Sequence, residues 1–325
     1  MVLTGATAVR HPAPIHRGTE APPLAVLRLP EPLTAVPSDP PVHHVRVALD
    51  TRLRALLKHD AGARIGRDVE DVHQMRVSVR RMRAALKAAR PLLDAEWSDT
   101  LRAELGWLGR SLGPVRDLDV LLPRLRGLAA DLPENERAAA EALISTLDAD
   151  YTLARADMMH ALAAPRYVTL LERLADAVRL PLPTPSATER QPELVELVRK
   201  EFRMLRKAVR RAGEDPPDEV LHALRIKGKR LRYTGELVEP VLGKPVRQLL
   251  GATSGLQEVL GDHQDACVAQ EKIRELLDRG ATSGDPRLLT FVAGRLVERE
   301  YARAEQQRGL WWAAWQRVAA RASVL

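Results

Sequence analysis

The feature that most constrains the fold is a basic row of side chains that occurs twice at helical spacing. Stripe one consists of His73, Arg76, Arg80 and Arg83. Stripe two consists of His222, Arg225, Lys229 and Arg232. Both step by three, four and three residues, which places the four side chains on one face of an α-helix. An apolar row runs beside each basic row, so the spacing predicts two helices that pack by one face and present cations from the next.

The charge pattern within each stripe points to a ligand. Like charges one turn apart destabilise a helix by about 0.2–0.5 kcal/mol per pair. Neither stripe contains an Asp or Glu between its His and its last Arg. The row from His73 to Arg83 rises about 15 Å along the helix axis, which suits a polyanion better than a single phosphate. A solvated basic face is the alternative interpretation, and two copies at matching positions favour the ligand.

The composition favours helix throughout the chain. Ala, Leu, Arg and Glu dominate the 325 residues, and aromatic residues make up only 3%. Good helix formers in amphipathic runs, without strand signals, predict an all-α fold. The formal charge of +7 is consistent with an anionic partner.

Cysteine usage and hydropathy bound the compartment. Cys267 is the single cysteine, which excludes a disulfide framework and a cluster of thiolate metal ligands and favours a reducing compartment. No apolar run approaches the about 18 residues that a membrane span requires. The first ten residues lack the pattern of a secretory signal. We therefore expect a cytoplasmic protein without a membrane span.

Proline-rich stretches divide the chain. The proline-rich composition of residues 1–41 predicts an extended or disordered arm. Its apolar segment, residues 24–29, is a candidate for docking on the helical part of the protein. We expect a first helical repeat over 42–180, a linker over 181–191 and a second helical repeat over 192–325. Within the repeats, Gly113-Pro114 and Gly261 are expected to break helices.

A second motif also occurs twice. Leu112–Val120 and Leu260–Val268 both read L-G-x-x-x-D-x-x-V, and they follow the stripes at almost the same separation. Two motifs in the same order predict a duplicated helical unit within an all-α bundle. We interpret Asp117 and Asp265 as acceptors that orient stripe arginines or cap helices, rather than as catalytic acids.

These motifs together resemble one known family. V-H-Q-M-R-V-x-x-R-R-M-R-A-A-L followed by L-G-P-V-R-D-L-D-V, and L-H-A-L-R-I-K-x-K-R-L-R-Y followed by L-G-D-H-Q-D, are similar to the paired motifs of the CHAD family, the conserved histidine α-helical domain. The resemblance covers about residues 42–322. It implies two pseudo-symmetric helical bundles that enclose a basic cleft or channel, in which inorganic polyphosphate binds. It also implies association with polyphosphate granules and a domain that is not an enzyme when it occurs alone. We expect no cofactor.

The candidate polyphosphate-binding residues extend beyond the eight stripe residues. The additional cations are Arg81, Arg230, Arg116, Arg203 and Lys207. Arginines offer planar forks to phosphate oxygens, whereas a lysine acts as a point charge. The stripe histidines are open to two interpretations, as donors to phosphate when protonated or as core residues bonded to a neighbouring carboxylate or carbonyl. Arg116 is equally compatible with a salt bridge, and Arg203 and Lys207 with a solvated helix face.

Three other functions stay open at this level. Nucleic-acid binding fits the positive stripes, although aromatic residues are not interleaved with the cations. The surroundings of His222 resemble a histidine phosphotransfer motif, which requires an exposed nucleophilic histidine. Asp262, His263 and Asp265 suggest a metal-dependent phosphohydrolase, although we interpret them as a helix cap and expect no metal site. The oligomeric state does not follow from the sequence.

Overall fold

The computed structural model describes residues 27–180, 182–184, 193–280 and 285–322. Within these ranges the chain forms α-helices, one 3₁₀ turn at Arg90–Leu92 and no strand, so the all-α prediction is confirmed. The helices are α1 (Pro41–Ile65), α2 (Val69–Ala88), α3 (Ala95–Ala130), α4 (Glu134–Ile144), α5 (Leu147–Ala163), α6 (Pro165–Arg179), α7 (Leu194–Ala212), α8 (Asp218–Leu242), α9 (Lys244–Arg279) and α10 (Pro286–Ala322). None of these helices is long and apolar enough to cross a lipid bilayer.

Local signals set the ends of the helix that carries stripe one and of its neighbours. Gly66 ends α1 in the left-handed conformation (φ +73°), which costs little only for glycine. The carboxylate of Asp68 then accepts the backbone N–H of Glu70 at 2.8 Å and caps α2. Asp94 does the same for α3, where it accepts the N–H of Trp97 at 2.8 Å. These caps satisfy backbone donors that have no partner inside the helix.

The two expected helix breaks are wrong. α3 continues through Gly113-Pro114 and α9 continues through Gly261. Pro114 removes one backbone donor from α3, but the apolar row on either side of it, Leu112 and Val115, is fully buried. Packing against neighbouring helices therefore offsets the lost hydrogen bond. The L-G-x-x-x-D motif consequently lies in the middle of a long helix in both places.

Two hydrophobic cores hold the helices together. The larger core combines α1, α2, α6, α7 and α8 with parts of α3, α5, α9 and α10. The smaller core joins the C-terminal part of α3 and α4 to the second half of α9 and the first half of α10. Each core draws on residues from both predicted repeats. The proposed division into repeats remains a prediction, as does the internal duplication.

The end of the arm docks on the body. Leu27 is buried, and its carbonyl accepts Arg179 Nη1 at 3.2 Å. Further along, the backbone N–H of Leu33 donates to Asp50 Oδ2 at 2.8 Å. The docking expected for residues 24–29 is thus seen for the part that is described, while residues 1–26 lie outside the described ranges. Of the expected linker only 182–184 is described, and there the N–H of Asp94 donates to the carbonyl of Pro183 at 2.9 Å.

Candidate anion-binding site

The two stripes meet because α2 packs against α8. Arg76 and Arg80 lie close enough to Lys229 to lower its affinity for a proton. The guanidinium of Arg80 also lies over the ring of Tyr233, 5.9 Å from its centroid. Cations that are about 150 residues apart in the chain therefore share one cleft, which we call the α2–α8 cleft.

The α2–α8 cleft carries more positive than negative charge. Burial, followed by the charges of Arg225, Arg80 and Arg76, lowers the pKa of Lys229 to about 8, and the carboxylate of Asp265 opposes this only in part. Burial and Arg116 likewise lower the pKa of His73, which favours its neutral form. The chain therefore holds these cations together against their mutual repulsion.

Stripe one is positioned by the second motif on α3. Arg76 Nη1 donates to the carbonyl of Gly109 at 3.3 Å, and Nη2 lies 3.2 Å from Asp117 Oδ1. A Cβ at Gly113 would lie 2.5 Å from Arg76 Nη1, so the guanidinium occupies space that only glycine leaves free. The motif glycine thus makes room for the stripe arginine, and the aspartate four residues later orients it.

Stripe two has a looser form of this arrangement on α9. Arg225 Nη2 lies 3.8 Å from Asp265 Oδ1, and a Cβ at Gly261 would lie 3.9 Å from Arg225 Nε. Asp117 accepts a hydrogen bond from Arg76, as the interpretation of this aspartate as an orienting acceptor predicts. Asp265 forms only a longer ion pair with Arg225, beyond hydrogen-bond distance. Arg225 Nε is also buried without a hydrogen-bond partner among the described residues. A buried donor without a partner is costly, so the fold holds this arginine at an energetic cost.

Further cations extend the cleft along α3 and the end of α2. Partial desolvation and the neighbouring Arg102 and Arg110 lower the pKa of Arg83. Lys87 is likewise shifted, first by desolvation and then by Arg230. Lys87 was not among the residues predicted from the sequence, although it continues the three-and-four stepping of stripe one. Nothing in the sequence could have found Arg102 and Arg110, because their position depends on how α2 packs on α3.

One acid partly neutralises the end of stripe two. Glu236 forms ion pairs with Arg81 Nε at 3.2 Å and with Arg232 Nε at 3.1 Å. Glu236 follows Arg232 by four residues, as Lys87 follows Arg83 in the first copy. The two stripes therefore differ where they end, and Arg81 and Arg232 are less available to an anion than the other candidates.

The remaining candidates occupy varied surroundings. His222 is half-buried, and its Nδ1 contacts the amide oxygen of Gln264. This environment fits a histidine held by a neighbouring side chain better than the exposed nucleophilic histidine of a phosphotransfer site. Arg116 lies beside His73 and Asp119. Arg203 and Lys207 are exposed on α7, as expected of a solvated helix face.

Asp262, His263 and Asp265, the residues of the phosphohydrolase alternative, do not converge on one metal site in the described part of the chain. His263 contacts Asp218 and Cys267, whereas Asp265 faces Arg225. The interpretation of this trio as a helix cap is also wrong, because Asp262 lies inside α9.

Comparison with known proteins places this architecture in a family. The family model described as the CHAD domain matches residues 47–274. The chain belongs to the CHAD family. CHAD domains are binding domains without catalytic activity, and the family is known for polyphosphate binding.

Two curated relatives are uncharacterized proteins of Mycobacterium tuberculosis, MT2285 and Rv2226. Each is 31% identical over 276 residues, which is 83% of this chain. This chain spans about half (52%) of the length of either relative.

Two solved CHAD-like structures share the fold. PptA from Streptomyces chartreusis superposes with a TM-score of 0.69 at 21% identity, covering 86% of this chain and all of that one. The CHAD domain from the plant Ricinus communis superposes with a TM-score of 0.67 at 24% identity, covering 95% of this chain and 98% of that one.

Proposed function

We propose that the chain binds inorganic polyphosphate in the α2–α8 cleft and breaks no bond in it. The observation that carries the proposal is the convergence of Arg76 and Arg80 from stripe one on Lys229 from stripe two. Binding proceeds through charge-assisted hydrogen bonds and the release of counterions. In the cell we expect the protein at polyphosphate granules.

The energetics of the free cleft support a polyanion as the ligand. Several cations lie together, and burial lowers the pKa of Lys229 to about 8. A chain of phosphates supplies one negative charge after another along the row, which offsets the repulsion between neighbouring cations. A single phosphate satisfies only a fraction of a row that is about 15 Å long.

The contacts rank the candidate residues. The cations that face each other across the cleft carry most of the binding, and these are Arg76, Arg80, Arg225 and Lys229. Arg83, Lys87, Arg110, Arg116 and Arg230 extend the path on either side. Arg102 contributes less because Asp99 already pairs with it. Arg81 and Arg232 contribute less because Glu236 already pairs with them. Arg203 and Lys207 contribute only where a long polyanion continues onto α7.

Nucleic acid is the less favoured ligand. Tyr233 lies beneath the guanidinium groups of Arg80 and Arg232 and is only 8% exposed. A base therefore has no free face of this ring on which to stack, and single-strand binders draw much of their affinity from such stacking. The cleft offers charge without a stacking surface, which matches a chain of phosphates.

The test is calorimetric titration with long-chain polyphosphate and with single-stranded RNA, at equal phosphate concentration and physiological salt. We expect tight binding of polyphosphate and weak binding of RNA. Equal affinity for both would replace the proposal with a generic basic surface. Absence of binding to either would leave the stripes as solvated helix faces.

A further inference from the structure

A second cluster of reactive side chains lies where α8 begins beside α9. His263 and Cys267 project from adjacent turns of α9, and Asp218 is the first residue of α8. One donor atom from each of the three residues lies within 4.8 Å of the others. His263 is only 2% exposed, so its ring is held in place by packing.

The donor separations match those of a metal site. His263 Nε2 lies 3.1 Å from Asp218 Oδ1, and Cys267 Sγ lies 3.7 Å from Asp218 Oδ2 and 4.0 Å from His263 Nε2. Tetrahedral zinc with bonds of about 2.0–2.3 Å separates its nitrogen, oxygen and sulfur ligands by about 3.3–3.6 Å. Each observed separation lies within about 0.5 Å of these values. The two distances to Asp218 involve different oxygens of its carboxylate, so this side chain has to rotate to bring one oxygen to both partners.

We propose that Asp218, His263 and Cys267 bind a zinc ion and leave its fourth position to water. Imidazole and thiolate ligands favour zinc over magnesium and calcium, which prefer sets of oxygen ligands. Asp218 is exposed, so the fourth position opens to solvent. The site links the start of α8, one turn before His222, to α9.

Binding requires one proton to leave. Burial and the nearby Asp218 raise the pKa of the Cys267 thiol to about 11, so the free protein holds a neutral thiol. When zinc binds, the S–H bond breaks, the proton passes to solvent and the sulfur electron pair forms the bond to zinc. His263 contributes the lone pair of Nε2 as the neutral imidazole.

Arg308 competes with the ion for one of the ligands. Its Nη2 contacts Asp218 Oδ1, while Nη1 lies 3.4 Å from Asp215 Oδ1 and Nε lies 3.2 Å from Glu305 Oε1. The guanidinium therefore keeps two other carboxylates when Asp218 turns to zinc. Because Arg308→Gln removes a positive charge beside the site, we expect this substitution to tighten zinc binding.

The test uses the full-length chain freed of metal with a chelator and titrated with Zn²⁺ by calorimetry and with Co²⁺ by absorption. We expect one ion per chain, a thiolate-to-cobalt charge-transfer band and the visible bands of a four-coordinate site. Cys267→Ser, which is nearly isosteric, should abolish the charge-transfer band. Cys267→Ser and Asp218→Asn should each weaken zinc binding by about 10-fold or more.

Two variants separate this site from other metal-binding side chains and from the α2–α8 cleft. His160→Gln removes an exposed histidine on α5 and should leave the zinc affinity unchanged. The double variant Arg80→Glu with Lys229→Glu should also bind zinc normally, because the inference does not rest on polyphosphate binding. Absence of the charge-transfer band in the unmodified chain, or unchanged zinc affinity in both Cys267→Ser and Asp218→Asn, would overturn the proposal.

Discussion

Partly buried cations have opposite electrostatic surroundings in the α2–α8 cleft and at the contact between α3 and α10. On α3, Arg124 makes a two-pronged ion pair with Glu300 of α10, with Nε 2.8 Å from Oε1 and Nη2 in contact with Oε2. Glu300 is 0% exposed. In the cleft, the charges that act most strongly on Lys229 are those of three arginines, and the carboxylate of Asp265 opposes them only in part.

The difference distinguishes charges at the α3–α10 contact, which stabilise the fold as ion pairs, from charges in the α2–α8 cleft, which we propose bind a ligand. At the α3–α10 contact each buried charge has its opposite, and the carboxylate of Glu300 raises the pKa of Arg124 against the effect of burial. In the cleft, burial and neighbouring cations both lower the pKa of Lys229. Substitutions in the two regions should therefore change stability in opposite directions.

The largest effect on stability is expected at the paired contact. Glu300→Gln leaves the guanidinium of Arg124 desolvated without its counter-charge, and breaking a buried pair in this way costs about 3 kcal/mol. Urea unfolding should show this loss, while the affinity for polyphosphate of the folded protein stays unchanged. A free energy of unfolding equal to that of the unmodified chain would contradict the role given to this pair.

The opposite sign is expected in the cleft. Lys229→Met removes one of several mutually repelling charges and retains an apolar stem, so the free protein should gain about 1 kcal/mol in stability. The same change should weaken polyphosphate binding, which calorimetry measures. A variant that loses stability while it keeps its affinity would remove the basis for distinguishing the two regions.

The motif glycines allow a matched test within the cleft. Gly113→Ala places a Cβ where the guanidinium of Arg76 lies, so the arginine must leave Asp117 and polyphosphate affinity should fall about tenfold. Gly261→Ala meets Arg225 only at ordinary contact distance and should leave the affinity unchanged. It should also stabilise α9 slightly, by about 0.5–1 kcal/mol, because alanine favours helix over glycine. Equal affinities in the two variants would show that Gly113 does not position Arg76.

The smallest expected effect is a pH dependence that Lys229 imposes. Its pKa of about 8 in the free protein rises when a polyanion binds, so binding takes up a proton above pH 8. Affinity should thus be nearly full at about pH 7 and fall about threefold by about pH 8.4. Calorimetry of Lys229→Arg over the same range should give a flat profile, since arginine keeps its charge. A decline of the same size in that variant would assign the dependence to another group.

The all-α fold class and both stripes could be predicted from the sequence because they depend on the local spacing of side chains. His73, Arg76, Arg80 and Arg83 share a helix face whatever surrounds them. The contribution of Arg102 and Arg110 could not be predicted, since the packing of α2 on α3 decides it. The continuous helix through Pro114 could not be predicted either, because burial of Leu112 and Val115 outweighs a local breaker.

The grouping of Cys267 with Asp218 escaped the sequence for the same reason. These residues are 49 positions apart and meet only because α8 packs on α9. His263 was visible as a candidate ligand, but its neighbours in the chain, Asp262 and Asp265, suggested the wrong partners. Spacing within one helix identifies a row of side chains, whereas the partners of that row come from tertiary packing.

The most direct measurement of the central claim is the polyphosphate affinity of Arg80→Glu with Lys229→Glu, which reverses one charge in each stripe. The control reverses Arg303 and Arg317, two exposed arginines of α10, with the same change in net charge. Calorimetry should show no binding by the cleft variant and near-normal binding by the control, with circular dichroism showing the same helical content in both. Unchanged affinity in the folded cleft variant would contradict the account that two distant stripes form one site.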